Sequence, residues 1–361
     1  MRRRTFLQSA STAAVAAMSP AAGAATIRLG FDSYSIRAFK WKAIELLDYA
    51  AGLKLDTVQL SSLGDFESLE PGYLQRVKDQ AARVGVAIDA GIGCICPSAK
   101  SYNRKEGEPA EYVARGLRVA KAVGATVMRC YMGTRDERHG PLPLEAHMQN
   151  TVKVLRSVRS QALDLGVRIA IENHAGDMQA REVRTIIEEA GKDFVGSNLD
   201  TGNPLWVVED PFVTLETLGP YVLTSHIRDS AVFEHPRGAA AQWVALGDGS
   251  VDFARFAARY AELCPGAAMQ LEIITGRPPE ILAYMEADFW KAFPKMPAWE
   301  FARFVALARN GRPFMGSMVT GEWSDNSPAI EAALKEQQRV DLERSLEYAK
   351  KKLGVGVRWR T

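Results

Sequence analysis

The sequence has few cysteines and no large excess of charge of either sign. Four of its 361 residues are cysteine, too few for a disulfide framework in a chain of this length. No two of them have the two-residue spacer of a Cys-rich zinc site, so we expect buried thiols. Lys and Arg total 45 against 43 Asp and Glu and are scattered. This balance argues against nucleic acid or an anionic membrane surface as a partner.

The sequence also lacks an apolar run long enough to cross a bilayer. Its N-terminus instead has arginine at positions 2–4, a short Ala-rich run over residues 10–18 and the small-residue pattern Ala22-Gly23-Ala24. This order predicts a twin-arginine export signal over residues 1–24. We therefore expect a periplasmic or secreted protein with no membrane attachment after signal cleavage.

The sequence does contain eight apolar, β-rich runs that alternate with amphipathic helical patterns. Such strands separated by helices predict a parallel sheet covered on both faces, and eight units predict its closure. We therefore predict an α/β fold, a (β/α)8 TIM barrel, over residues 25–275. The predicted strands are residues 27–31, 57–60, 86–92, 126–131, 167–172, 196–200, 222–227 and 268–273, and the predicted helices are residues 41–51, 71–84, 110–123, 144–165, 181–190, 211–218 and 252–263.

The pattern changes after residue 275. Helical runs at residues 279–292, 299–310 and 327–353 predict a helical C-terminal extension over residues 276–361, which packs on the barrel exterior or joins subunits. The last run carries charges three and four residues apart, which predicts a solvated helix. The tryptophans of the extension are expected to be packing anchors; they are Trp290, Trp299, Trp323 and Trp359.

Residues 231–250 are predicted to form a long connection rich in Gly and Ala. A connection of this length is either a lid or a substrate wall at the barrel mouth, or a plain surface loop. The sequence leaves both interpretations open.

Four predicted strands end on a residue that can bind a divalent cation. These residues are Glu172, Asp200, His226 and Glu272, with successive gaps of 28, 26 and 46 residues. A single carboxylate after a strand is usually a cap or turn residue, but four such residues at the spacing of a barrel favour one metal site at its rim. Three carboxylates and an imidazole suit Mn²⁺ best, with Mg²⁺, Co²⁺ or Zn²⁺ as alternatives.

A cation held in this way could bind two neighbouring oxygens of a sugar and polarise its carbonyl. Polarising a ketone makes the adjacent C–H more acidic. If Glu172 and Glu272 face each other across the sugar, one can remove that proton and the other can return it elsewhere, through an enediolate. The ligand set therefore predicts a metal-dependent sugar isomerase or epimerase.

Five segments carry a family resemblance: IENHAG, NLDTGN, SHIRD, LGDGSVDF and LEI. From residue 27 to residue 276 the chain resembles the xylose isomerase-like TIM barrel superfamily, nearest in motif order to the ketose 3-epimerases and inosose dehydratases. The resemblance implies that Glu172, Asp200, His226 and Glu272 bind one divalent ion, and that Glu172 and Glu272 act as acid and base. It is compatible with a homo-oligomer, and it does not select a particular sugar.

Two positions depart from the family pattern. Asn203 stands three residues after the metal-binding Asp200, where the family usually has a substrate-binding histidine, and Gln59 stands where an acidic residue is common. Asparagine can hydrogen-bond a sugar but cannot titrate near neutrality. Both changes weaken the case for simple 3-epimerisation of a free ketose and leave the metal ligands intact.

Other polar residues at the predicted rim are candidates for substrate binding. With Asn203 they are Tyr34, Arg129, His174 and Arg228. Each of them also has a purely structural interpretation; for Arg228 it is a local ion pair with its neighbour Asp229. Asp229 could instead orient a metal ligand. The remaining histidines are predicted to lie at the surface; they are His139, His147 and His235.

Three other functions are alternatives to the isomerase. A lyase or dehydratase acting on a 3-keto-glycoside or an inosose needs the same metal and the same proton abstraction, followed by loss of a β-oxygen. A non-catalytic periplasmic sugar-binding module would retain the barrel without turnover. Metal-dependent apurinic endonucleases share the barrel, but their cluster needs more histidines than the five present, and no basic stripe for DNA is visible.

Overall fold

Eight parallel strands surrounded by helices form a nearly closed barrel in the computed structural model, which describes residues 27–321, 324 and 326–361. This confirms the predicted α/β class and the (β/α)8 TIM barrel. The predicted export signal at residues 1–24 and Trp323 lie outside the described residues. In chain order the strands are β1 (Leu29–Asp32), β2 (Thr57–Leu60), β3 (Ala87–Cys94), β4 (Val127–Tyr131), β5 (Arg168–Glu172), β6 (Val195–Asp200), β7 (Val222–His226), β8 (Asp229–His235), β9 (Gly238–Val244), β10 (Met269–Leu271) and β11 (Glu280–Leu282).

The barrel strands pair in the order β10-β1-β2-β3-β4-β5-β6-β7. Between β7 and β10 the contact is one parallel bridge, from Ile227 to Leu271. Two backbone hydrogen bonds reinforce it, from Ile227 N to Gln270 O (2.8 Å) and from Glu272 N to Ile227 O (3.1 Å). Each of the eight predicted barrel strands overlaps an observed one. The carboxyl ends of all eight strands therefore meet at one rim.

Helices cover the outside of the barrel. Several begin with proline at the first helical position, which needs no N–H donor there, and two end at Gly85 and Gly166 in the left-handed conformation that glycine adopts freely. None of the described helices has both the length and the apolar character needed to span a membrane. The helices are α1 (Ala43–Gly52), α2 (Pro71–Val84), α3 (Pro109–Ala122), α4 (Arg135–His139), α5 (Leu144–Ser157), α6 (Arg159–Leu165), α7 (Ala180–Ala190), α8 (Pro211–Leu218), α9 (Phe253–Leu263), α10 (Ala298–Asn310) and α11 (Pro328–Lys351).

The long C-terminal helix α11 has a buried face. Its exposed side carries the predicted charge pairs, such as Arg339 with Glu343 at 2.8 Å. On the opposite side, Leu342 and Leu346 are buried in the same apolar core as the barrel, so the prediction of a solvated helix was wrong for this face. Residues 276–361 thus supply both an outer layer and a helix that packs on the barrel.

Residues 229–244 form an antiparallel hairpin, β8 and β9, and not the predicted connection. Strand β11 pairs with β9 and completes a three-stranded sheet. Residues 279–292 were predicted as a helix, and the structure has β11 and a short 3-10 helix (Ala287–Ala292) there instead. Val232, Ala241 and Leu282 of the sheet pack with Phe304 of α10 in a separate apolar cluster. In the sequence, β8 follows the carboxyl end of β7 and β11 follows that of β10, so the three-stranded sheet is connected to the barrel at its carboxyl-end rim.

The C-terminal residues return to the amino ends of the barrel strands. Gly356 N donates to Ile27 O (2.9 Å). The backbone N–H groups of Val357 and Arg358 donate to the carboxylate of Asp56. The guanidinium of Arg358 donates to the carbonyl of Leu55, just before β2 (2.8 Å). These contacts fasten the end of the chain to the face opposite the carboxyl-end rim.

Candidate metal centre

The four predicted metal ligands converge at the carboxyl ends of their strands. Glu172, Asp200 and His226 are the last residues of β5, β6 and β7, and Glu272 directly follows β10. One ligand atom from each of the four lies within 4.8 Å of the others, and all four side chains are buried. The barrel closure explains the convergence, because strands far apart in sequence end at the same rim.

The hydrogen bonds of Gln59 fix the orientation of His226. The Gln59 amide nitrogen faces Thr224 Oγ1 (3.3 Å) and Asn198 Oδ1 (3.4 Å), so its carbonyl oxygen is the atom that faces His226 Nε2. A carbonyl can only accept, so Nε2 carries a hydrogen and Nδ1 is the atom left to bind a cation or, without one, a second proton. Gln59, which stands where the family often has an acidic residue, thus determines the tautomer of His226.

The Nδ1 atom of His226 faces three carboxylates. It lies 3.4 Å from Glu172 Oε1, 3.5 Å from Glu272 Oε2 and 3.9 Å from Asp200 Oδ2. It is buried and has no hydrogen-bond partner among the described residues. Burial opposes a charge on this ring, but the carboxylates around it raise the pKa of His226 well above its ordinary value. A divalent cation satisfies the same electrostatic demand, so the donor set fits one.

Two buried arginines border the cluster. Arg129 Nε donates to Glu172 Oε2 (2.5 Å), and Arg228 pairs with Asp200 and with Glu272, the latter at 2.6 Å. Burial alone would raise the pKa of Glu172, but Arg129 and His226 hold it below its ordinary value. The predicted alternative, a local ion pair between Arg228 and Asp229, was wrong. Asp229 instead accepts backbone N–H groups, including that of Gly249 (3.0 Å).

Asp32 belongs to the same cluster and was missed by the sequence analysis. It ends β1, is fully buried, and its Oδ2 lies 3.3 Å from His226 Nε2. Its other oxygen accepts from the Tyr34 backbone (2.8 Å) and from Ser61 Oγ (2.5 Å). The available signal was the one used for the other ligands, a carboxylate directly after a predicted strand.

A cavity of about 760 Å³ opens above the cluster. This volume is within the usual range of small-molecule sites, roughly 300–1,000 Å³. All five residues predicted to bind substrate line it, together with one predicted metal ligand; they are Tyr34, Arg129, His174, Asn203, Arg228 and Glu272. The structure therefore brings the whole predicted set to one site.

His174 and Asn203 present polar atoms at this cavity. His174 stacks on Tyr131, with 3.8 Å between ring centroids, and its Nδ1 lies 2.7 Å from Gly133 O. Burial lowers the pKa of His174 to about 4, so the ring is neutral at pH 7, donates from Nδ1 and keeps a lone pair on Nε2. Asn203 Nδ2 donates to Glu172 Oε1 (3.2 Å). Neutral side chains thus border the charged cluster.

The β8–β9 hairpin contributes an aromatic support that the sequence analysis did not anticipate. Trp243, on β9, stacks on Trp206 with 4.4 Å between ring centroids. The guanidinium of Arg228 lies over Trp243 (4.4 Å), and that of Arg135 lies over Trp206 (5.7 Å). Stacking restricts the guanidinium of Arg228 to one plane beside the cluster.

His147 was predicted to be a surface residue and is buried. Its Nδ1 lies 2.9 Å from Ser98 Oγ and 3.7 Å from Cys96 Sγ. Burial lowers the pKa of His147, so it is a neutral core histidine whose polar atom is satisfied locally. The expectation of buried thiols is confirmed, since all four cysteines are buried and free.

Residues 47–293 match the family described as the xylose isomerase-like TIM barrel, which is more than half of the chain. The chain belongs to this family. Its membership agrees with the resemblance inferred from the five motifs.

One relative aligns with only part of this xylose isomerase-like chain. The uncharacterised protein YihM of Escherichia coli (strain K12) is 23% identical over 113 residues, which are 30% of this chain and 34% of YihM. The match therefore spans about a third of the relative's length.

Solved structures share the xylose isomerase-like fold over more of the chain. D-psicose 3-epimerase from Clostridium cellulolyticum H10 has a TM-score of 0.56 at 13% identity, covering 91% of this chain and 99% of that one. The 3-keto-D-glucoside 4-epimerase YcjR from E. coli has a TM-score of 0.53 at 15% identity, covering 78% and 98%. A xylose isomerase-like protein from Mycobacterium smegmatis in complex with magnesium has a TM-score of 0.52 at 16% identity, covering 90% and 99%.

Proposed function

We propose that this protein is a divalent-metal-dependent sugar isomerase or epimerase. The observation that carries the proposal is the convergence of Glu172, Asp200, His226 and Glu272 within 4.8 Å beneath a cavity of sugar-binding size. Membership of a family of sugar isomerases and epimerases supports it, as do neighbours described as epimerases of D-psicose and of a 3-keto-glucoside.

The proposed cofactor is one divalent ion, Mn²⁺ in first place and Mg²⁺, Co²⁺ or Zn²⁺ as alternatives, held by Glu172, Asp200, His226 and Glu272. When bound, such an ion would polarise the substrate carbonyl and make the neighbouring C–H more acidic. Three carboxylates and one imidazole favour hard cations, and a neighbouring fold is described in complex with magnesium.

The chain's own residues perform the proton transfers in this proposal. Glu272 lines the cavity and takes the proton next to the carbonyl. Glu172, which is ionised beside Arg129, first takes a proton from solvent and then delivers it to the enediolate. Arg228 and Arg129 offset the charge that develops on the enediolate oxygens. Asn203, His174 and Tyr34 hold the sugar hydroxyls.

Solvent isotope exchange tests this function. Protein loaded with Mn²⁺ is incubated with a panel of ketoses and 3-keto-glycosides in D₂O, and the products are analysed by NMR. We expect deuterium at one carbon of at least one sugar, and loss of exchange after chelation. The variant Glu272→Gln should lower the exchange rate about 100-fold or more, since general acid–base groups contribute about 10²–10⁴. Sugar binding without any exchange would overturn the proposal and indicate the binding module.

A lyase acting on a 3-keto-glycoside or an inosose is the second candidate, and one contact favours it. Arg129 holds Glu172 as an ion pair, which leaves Glu272 as the carboxylate that lines the cavity. Elimination needs one base next to the ketone and loss of a β-oxygen, whereas epimerisation returns a proton to the sugar. The same NMR panel separates the two outcomes, because a lyase releases water or an alcohol and leaves an unsaturated product.

Export by the twin-arginine route is a separate proposal, supported by residues 1–24 of the sequence. Cell fractionation of the full chain tests it, with lysine substituted at Arg2, Arg3 and Arg4. We expect wild-type protein in the periplasm or medium and retention of the variant in the cytoplasm.

A further inference from the structure

Three buried side chains that line the cavity each have one polar atom without a hydrogen-bond partner among the described residues. The atoms are Asn203 Oδ1, Arg228 Nη1 and Trp243 Nε1. The exposed fractions of the three residues are 3%, 2% and 5%. Buried polar groups, the indole N–H among them, are normally paired, because an unpaired one destabilises the fold. Three such atoms at one cavity indicate that a bound molecule supplies their partners.

The side chain of Arg228 brings the three atoms into one neighbourhood. Its ion pairs with carboxylates use the other two nitrogens: Nε lies 3.3 Å from Asp200 Oδ1, and Nη2 lies 2.6 Å from Glu272 Oε2. The backbone N–H of Asn203 donates to the same Asp200 oxygen (2.7 Å), and the guanidinium lies 4.4 Å from the ring centroid of Trp243. The charge of Arg228 is therefore balanced, and Nη1 remains as a directed donor beside the metal ligands.

The two neighbours of Arg228 are held in fixed orientations. Asn203 Nδ2 donates to Glu172 Oε1 (3.2 Å) and to the Asn173 carbonyl (3.0 Å). Both of these oxygens are acceptors, so they identify Nδ2 as the amide nitrogen and leave Oδ1 as an acceptor. The indole of Trp243 is stacked on Trp206, with 4.4 Å between ring centroids. The cavity thus offers two N–H donors and one carbonyl acceptor from rigid side chains.

This combination matches the capacity of one hydroxyl group, which accepts two hydrogen bonds and donates one. We propose that Trp243 is a substrate-binding residue, whose indole N–H donates with Arg228 Nη1 to one sugar hydroxyl, while that hydroxyl donates to Asn203 Oδ1. The inference rests on the proposed function and deepens it. The substrate class is a sugar whose hydroxyl at this position is free, because an ester oxygen has no hydrogen for Asn203 and a deoxy carbon has no partner for any of the three atoms.

Sugar binding to the variant Trp243→Phe tests this without requiring turnover. Phenylalanine keeps an aromatic ring against Trp206 and lacks the N–H. Isothermal titration calorimetry measures the affinity of Mn²⁺-loaded protein for D-fructose and methyl glucoside, each with its set of monodeoxy analogues. We expect the variant to bind at least one parent sugar about 3- to 10-fold more weakly and to bind one of its deoxy analogues as the wild type does, since the loss belongs to one hydroxyl.

The unchanged analogue also shows that the variant is folded. Trp299→Phe, at a tryptophan on α10 that is 58% exposed and lies outside the cavity, is the matched control and should change no affinity. Equal losses for a parent sugar and all of its analogues, or no binding of any sugar, would overturn the proposal. Isotope exchange with affinities that Trp243→Phe leaves unchanged would overturn this inference alone. A loss confined to one hydroxyl, without isotope exchange in the wild type, would overturn the proposed function and leave this inference standing.

Discussion

Gln59 determines which nitrogen of His226 faces the carboxylates. The amide of Gln59 is itself oriented by Thr224 and Asn198, so the tautomer of His226 depends on side chains from β2, β6 and its own strand β7. A partner that orients a metal-ligating histidine typically changes metal affinity by about 10- to 100-fold. The residue that departs from the family pattern thus has a definite structural task.

Replacing Gln59 by leucine removes the acceptor and should weaken Mn²⁺ binding about 10- to 100-fold. Isothermal titration of metal-free protein measures the affinity. The variant Gln59→Glu is the control, because it keeps an acceptor for His226 Nε2 and should bind at least as tightly as the wild type. Unchanged affinity in Gln59→Leu would show that His226 needs no partner.

The catalytic candidates were accessible from the sequence because strand ends are periodic. Glu172, Asp200, His226 and Glu272 each follow an apolar run, and barrel closure makes such positions neighbours. Asp32 follows the same rule at the end of β1, but the sequence analysis named only Tyr34 at that strand end. The pairing of Arg228 with Asp200 and Glu272 could not be read from the sequence, because its near neighbour Asp229 offered an equally simple partner.

At the scale of elements, the barrel units were predictable and the hairpin was not. The strands of the barrel are buried on both faces and have continuous apolar runs. Strand β9 contains Ala239, Ala240 and Ala241, whose weak strand preference gives no clear signal. Strand β11 is three residues long, and its pairing with β9 depends on contacts that sequence periodicity does not carry. Helix α11 was misjudged because its many charges obscured the buried Leu342 and Leu346.

The connection between β6 and α8 contains a buried carboxyl group that is not part of the metal cluster. Glu209 accepts from the first N–H of α7, at Ala180 (3.1 Å), and from Thr214 Oγ1 of α8 (2.6 Å). Burial raises the pKa of Glu209 to about 8, against about 4.3 in an unfolded chain. The folded state therefore binds this proton more tightly than the unfolded chain does. The resulting contribution to the free energy of unfolding is complete below about pH 4 and is lost as the pH rises to about 8.

Glu209→Gln cannot titrate and should not show this loss. The difference in melting temperature between the variant and the wild type should therefore increase from pH 5 to pH 8 in favour of the variant, and then level off. Each kcal/mol that the wild type loses in free energy of unfolding corresponds to roughly 2–4 °C. Differential scanning calorimetry at several pH values measures it. Glu216→Gln, at an exposed position of α8, is the matched control with no such trend, and parallel curves for both variants would contradict the assignment.

At the scale of the whole molecule, the metal centre joins strands from both halves of the barrel. Asp32 and Glu272 come from the adjacent strands β1 and β10, while Glu172 and Asp200 come from β5 and β6. Four carboxylates in one buried cluster repel one another, and the two arginines offset only part of that repulsion. A bound dication should therefore stabilise the barrel, since its ligands link strands from both halves.

Removing the metal should lower the melting temperature, and adding Mn²⁺ should restore it. An ion present at 100 times its dissociation constant contributes about 2.7 kcal/mol, which predicts a rise of several degrees. Differential scanning fluorimetry after chelation, with and without Mn²⁺, measures the rise. In His226→Ala the same addition should have little effect, whatever the variant's own stability. An identical response of both proteins would mean that the ion binds elsewhere.

The attachment of the C-terminal residues at the amino ends of the strands has a practical consequence. Ile27 and Gly356 are hydrogen-bonded to each other on the face away from the cavity. A fusion partner, a purification handle or a solid support joined near either residue would project from the underside of the barrel. Sugars would then diffuse freely to the opposite side, so the protein should retain its ligand affinity when immobilised on a bead through either of these positions.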